Sequence, residues 1–105
     1  MNKPLLLTDL PSVNPEKQYH LERYVKFINS RPIRNTNKER GFNVHRVYPR
    51  SMAEKNEVSD FDGDWNLIKL THREHFIAHK LLSLSGYASM ITSFKLFRAS
   101  SGIVV

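Results

Sequence analysis

Hydrophobic and polar positions follow two different periods along this chain, and the switches between them mark its elements. After Asn14-Pro15, Leu21, Tyr24, Val25 and Ile28 recur at i, i+3, i+4 and i+7, which predicts one face of an α-helix. Asn14 is placed to supply the N-cap oxygen, and Pro15 to sit at the first helical position, where its missing N–H is not needed. Arg23 and Lys26 lie off that face, and Pro32 closes the helix beyond Asn29-Ser30. Upstream, Pro4, Pro11 and the lack of any amphipathic period predict an extended lead-in over 1–14. Arg31 to Gly41 reads as a polar, basic loop.

The period then changes to two. Phe42, Val44, Arg46 and Tyr48 alternate with Asn43, His45 and Val47, which predicts a strand ending at Pro49. Phe42, Val44 and Tyr48 are expected to pack the resulting hairpin. Residues 50–64 carry no period and are expected to form a long loop, followed by a second short strand from Asn66 to Leu70. Thr71-His72-Arg73-Glu74 is a capping box and opens a helix through about Leu84. Ser85-Gly86 breaks it. Met90, Ile91, Phe94 and Phe97 predict a short closing helix, and 100–105 a frayed tail. The expected architecture is one α+β domain over 15–99: a leading helix, a strand–loop–strand–helix unit and a closing helix.

Composition narrows the chemistry. With 105 residues, 40% of them hydrophobic, there is material for one modest core and no second domain. The absence of cysteine removes disulfide scaffolds, thiolate zinc sites, iron–sulfur clusters and thiol nucleophiles together. The run Leu5-Leu6-Leu7 is too short for a signal-peptide core, and nothing approaches the ~20 apolar residues of a membrane span. A small, soluble, intracellular domain with no membrane partner is the expectation. The formal net charge of +6 is unevenly spread. From Arg23 to Arg50 there are eight Lys or Arg and one acid, whereas Glu54 to Asp64 holds five acids and one Lys. Such runs are commonly solvated faces. The basic one is long enough to suggest a phosphate-binding surface, with Arg31, Arg34, Lys38, Arg40 and Arg50 as the contact candidates.

His75 and His79 stand four apart on the capped helix, so their imidazoles project from one face, one turn apart, as two nitrogen ligands of one ion require. Phe76 stands where a zinc protease of the H-E-x-x-H type needs glutamate, so that reading fails. His45, on the preceding strand, is the candidate third ligand. Asp60-Phe61-Asp62-Gly63-Asp64 does not make a calcium loop, because glycine comes too early and the twelfth position is Thr71. It is expected to be an acidic turn, with Trp65 beside it as a packing aromatic and Ser51 as a turn residue.

Three segments together carry a resemblance: Val44-His45-Arg46-Val47-Tyr48-Pro49-Arg50-Ser51, Trp65-Asn66-Leu67-Ile68-Lys69-Leu70-Thr71 and Arg73-Glu74-His75-Phe76-Ile77-Ala78-His79. They resemble the HNH endonucleases, especially phage-borne homing-type members, and the likeness extends over about Tyr19 to Phe97. It implies a ββα-metal (His-Me finger) unit in which His45, His75 and His79 hold a divalent ion (Zn²⁺, Mg²⁺, Mn²⁺ or Ni²⁺). It further implies that Asn66 braces the loop and orients the general base, and that DNA is the partner. A setting in the cytoplasm of a phage-infected cell goes with the same resemblance.

One position departs from the pattern. The family's general base, a histidine that activates water, falls on Arg46. Imidazole accepts a proton near neutral pH; a guanidinium does not. His72 and His20 are the remaining histidines, and surface or capping roles suit both. Two functions therefore follow. The first is a nuclease-dead relative that keeps the metal site and works as a nucleic-acid- or protein-binding module, engaging a host or defence component. The second is an active, metal-dependent DNA endonuclease.

Overall fold

The face of the leading helix that the sequence marks as apolar is the one that is buried. In a computed structural model, which describes residues 1–34 and 41–101, α1 spans Pro15–Asn29 and buries Leu21, Tyr24 and Ile28. It is followed by β1 (Phe42–Arg46), α2 (Arg50–Lys55), β2 (Leu67–Thr71), α3 (His72–Leu84) and α4 (Ala88–Ser101). The chain is thus α+β, with one antiparallel two-stranded sheet and four α-helices among the described residues.

Register decides which side chains of the hairpin face inward. His45 lies opposite Ile68 and Asn43 opposite Leu70, and cross-strand partners share a face. Ile68 and Leu70 are core residues, so His45 is carried inward with them and is itself buried. Val44, one residue along, points the other way and is 59% exposed; of the three residues expected to pack the hairpin, it does not. Tyr48 is buried and Phe42 half-buried.

The hairpin, α1 and α4 all pack against α3. Its N-terminus is fixed as the sequence foretells: Thr71 Oγ1 accepts from the Glu74 N–H, while the Glu74 carboxylate accepts from the Thr71 N–H. Ala78, Leu81 and Leu82 fill the core side. Gly86, at φ +88°, takes the left-handed turn that lets α4 fold back along α3.

Four local expectations need correction. The lead-in is not merely extended: it contains a 3-10 turn (Leu7–Asp9), and Leu5 and Leu10 join the core. The Asn29 side-chain amide holds it there, exchanging two 2.8 Å hydrogen bonds with the Leu5 backbone. The long loop begins with α2, which was invisible because six residues are too few to display a period; Met52 and Ala53 anchor it. Asn14 caps α1 through its backbone carbonyl, which accepts from Lys17 N at 2.8 Å, and not through its side chain. The closing helix is not short but has fourteen residues, reaching Ser101; residues 102–105 lie outside those described. The strands also differ: β1 ends two residues early, at Arg46, and β2 lies one residue later than expected, from Leu67 to Thr71. Among the described residues no helix is long and apolar enough to cross a membrane.

Candidate metal centre

The capping box sets the rotational phase of α3, and that phase presents His75 and His79 side by side toward the hairpin. The Nε2 atoms of the two rings stand 3.0 Å apart. β1 brings His45 to them, with its ring centroid 5.2 Å from that of His75 and 5.5 Å from that of His79. One ligand atom from each of the three lies within 4.8 Å of the others. Tetrahedral Zn–N bonds of ~2.0–2.1 Å place ligand nitrogens roughly 3.3 Å apart, so small side-chain adjustments would bring all three onto one ion. Three imidazoles are a suitable donor set, and three protein ligands leave coordination positions open.

All three rings are held in the form a metal needs. Burial pushes His45 well below the usual imidazole range, and the neighbouring His79 and His75 add to this. His75 is lowered to about 4 by burial, then by His79 and His72. Burial also lowers His79. Neutral imidazole is the ligating species, so the cluster is ready to bind at neutral pH.

Two residues steady the rings from behind. The Tyr24 hydroxyl lies 2.9 Å from His45 Nε2 and 2.7 Å from the Val47 carbonyl oxygen, and Asn43 Oδ1 lies 3.2 Å from His75 Nδ1. On the other side, α4 supplies Phe97, which stacks on His79 at 4.9 Å and meets His75 edge-on at 4.8 Å. The histidines open into a cleft of about 520 Å³ between the hairpin end, α2 and α4. Arg46, Arg50 and the hydroxyl residues Ser51, Ser89, Thr92 and Ser93 line it together with apolar side chains.

Arg46 is therefore in the same cleft as the three histidines. Its Nε and Nη2 both meet Asp62 Oδ1, at 2.7 Å. Among the described residues no carboxylate and no fourth histidine lines this cleft. His72 is exposed and stacks on Phe97 at 5.5 Å; His20 pairs with Tyr19 on α1.

Asn66 is completely buried and grips the chain after β1. Its Oδ1 accepts from Tyr48 N, and its Nδ2 donates to the carbonyls of Tyr48 and Phe61, each at 2.8 Å. One backbone bond, Val47 N–H to the Asn66 carbonyl at 2.8 Å, continues past the Arg46–Leu67 pair; beyond it the Asn66 side chain takes over, where β1 stops at Arg46 and β2 begins at Leu67.

The basic candidates are distributed unevenly. Arg31 and Arg34 both bind the Glu74 carboxylate, at 3.0 and 2.8 Å, and Arg34 also donates to the Lys69 carbonyl and lies over the Phe42 ring. Their charge is spent on fastening the start of the loop to the α3 cap, away from the cleft. Arg50 sits at the cleft with Glu54 as its partner, at 2.9 Å. Lys38 and Arg40 fall outside the described residues. The acidic stretch forms the expected turn, with Trp65 Nε1 donating to the Asp60 carbonyl at 2.7 Å.

Glu74 yields a pH prediction. Hydrogen bonds from Arg34, the Thr71 N–H and Arg31 hold its carboxyl at about 2, Arg34 contributing most. A depressed carboxyl stabilises the fold above its unfolded value and loses that contribution as pH falls toward 2. Glu74→Gln should cost about 2 kcal/mol at pH 7, less than the full shift implies because solvent screens the pair, and nearly nothing at pH ~2. Urea unfolding of both proteins at the two pH values measures the difference.

Sequence reading missed Tyr24, Asn43 and Phe97. Tyr24 occupied an apolar helical position and Phe97 an apolar stripe, so neither carried a visible polar or site-directed signal. Comparison of the chain with protein-family models, with curated proteins and with solved structures finds no match.

Proposed function

We propose that the chain is an HNH-like, ββα-metal domain that retains the ion and the phosphate grip of a nuclease but holds nucleic acid without cutting it. One observation carries this reading. Among the described side chains lining the histidine cleft, only the three histidines themselves can accept a proton near neutral pH, and Arg46 stands at the position that the resemblance gives to the general base. Loss of a general base typically costs ~10²–10⁴ in rate. Two guanidinium groups and four hydroxyls in the cleft suit a phosphodiester, to which they can donate hydrogen bonds. An all-imidazole donor set suits Zn²⁺ or Ni²⁺ better than Mg²⁺ or Mn²⁺, harder ions that prefer oxygen. If the resemblance to phage HNH proteins holds, the protein works in the cytoplasm of an infected cell, and DNA is the first partner to test.

An active endonuclease is the second reading, favoured by the complete histidine triad and the intact Asn66 clamp. One experiment separates the two. Purified protein is loaded with each ion, assayed for metal content, and incubated with supercoiled plasmid beside His75→Ala. The expected result is one bound ion, DNA binding that weakens steeply between about 50 and 200 mM salt, and no nicking. Nicking that vanishes in His75→Ala would replace the first reading with the second. Absence of DNA affinity at low salt would move the partner from nucleic acid to protein.

A further inference from the structure

A histidine can ligate through either ring nitrogen, and the nitrogen it uses is set by the hydrogen bond the other one makes. At His45 that bond can be worked out from the atoms around it. The Val47 carbonyl is an acceptor only, and it lies 2.7 Å from the Tyr24 oxygen, so the phenolic hydrogen is directed there. The same oxygen lies 2.9 Å from His45 Nε2. With its one hydrogen committed to Val47, Tyr24 can only accept from the ring. Nε2 must therefore carry the hydrogen, and Nδ1 is the bare nitrogen. Tyr24 is wholly buried.

The other two rings complete the account. His75 Nδ1 faces the Asn43 side-chain oxygen at 3.2 Å and donates to it, which leaves His75 Nε2 bare. His79 Nε2, 3.0 Å away, then donates to His75 Nε2 in the ion-free protein. His79 Nδ1, buried without a hydrogen-bond partner, is then the bare nitrogen in the ion-free protein. Two of the three rings are thus preset, and ion uptake needs to move one hydrogen, that of His79.

We infer that Tyr24 is a positioning residue of the metal site: by accepting from His45 Nε2 it fixes a mixed ligand set, Nδ1 of His45 with Nε2 of His75 and His79. This rests on the metal-site reading given above. It gives α1 a role at the histidine cluster and makes the Tyr24 hydroxyl part of the metal site.

The test uses the full chain, with nitrogen-15-labelled histidine, and Zn²⁺ as the probe. Long-range proton–nitrogen spectra of the ion-free protein should show His45 with its hydrogen on Nε2. After Zn²⁺ addition the metal-induced nitrogen shift should appear at Nδ1 of His45 and at Nε2 of His75 and His79. Tyr24→Phe should give His45 as a mixture of tautomers and weaken Zn²⁺ binding about 10- to 100-fold. A purely structural role would lower the melting temperature and leave tautomer and affinity unchanged, which would overturn the inference. So would a His45 hydrogen found on Nδ1 in the starting protein, a measurement that stands even where the variant fails to fold. Failure of the starting protein to take up Zn²⁺ at all would overturn the metal reading, and this inference with it; Zn²⁺ bound through His45 Nε2 would overturn this inference alone.

Discussion

Arg46→His is expected to give metal-dependent nicking of supercoiled plasmid where the starting protein gives none, a gain of about 10²–10⁴ in rate. Position 46 ends β1, one residue beyond the candidate ligand His45, and its side chain lines the cleft that the histidines open into. An imidazole there would be the one proton acceptor in the cleft not needed as a ligand. The substitution should leave the fold intact. The bond it sacrifices, Arg46 to Asp62, joins side chains 40% and 66% exposed, and such pairs contribute within ~1 kcal/mol. Arg46→Ala is the control: it removes the positive charge without adding a base, so nicking should stay absent and the salt dependence of DNA binding should become shallower by about one unit of slope. Arg46→His combined with His75→Ala should be inert. An Arg46→His protein that binds both metal and DNA yet never nicks would sink the claim that a missing base is what silences this site.

Asn66→Ala is expected to be the most destabilising single change at the site, by about 3–5 kcal/mol. The side chain satisfies three backbone groups, the Tyr48 N–H and the carbonyls of Tyr48 and Phe61, at a position with no exposure. Each buried group left without a partner costs about 1–3 kcal/mol. Set against the 5–15 kcal/mol typical of a whole domain, the sum is enough to leave the protein largely unfolded in mild denaturant. Asn66→Asp is the sharper variant. It keeps the acceptor for Tyr48 N but turns a carboxylate oxygen toward two carbonyls. The result should be strongly destabilised at pH 7 and partly recovered in mild acid, where a protonated carboxyl can donate again. Chemical denaturation at the two pH values reads this directly. A loss below about 1 kcal/mol would mean that other groups take over the clamp.

The long periodic elements and the histidine triad were legible for the same reason. Side chains four apart on a capped helix share a face whatever surrounds them, so His75 and His79 were certain to meet once Thr71 and Glu74 fixed the helix start. His45 followed from strand alternation. What the sequence could not display is whatever depends on partners distant along the chain. Glu74 pairs with both Arg31 and Arg34, across 43 and 40 residues, so a local count of charge overstated how much of the basic run is free for phosphate. The Tyr24 hydroxyl meets His45 from 21 residues away, and a tyrosine on an apolar face gives no hint of which atom it will hold. Helix α2 and the packed lead-in were missed because each is too short for a period and is anchored by only a few apolar side chains.

His45 and His75 are thirty positions apart and come from different elements, with Tyr24 supporting one of them from a third. The unfolded chain has no such arrangement, so an ion taken up here is taken up by the folded state alone. Mass action then makes the folded fraction a function of free ion. At a hundred times the dissociation constant, binding adds about 2.7 kcal/mol, a sizeable share of what a domain this small possesses. Chelation should lower the melting temperature by the corresponding amount. In a metal-poor cell the apo chain would open more often and be degraded faster, so the ion supply would set how much of this protein persists.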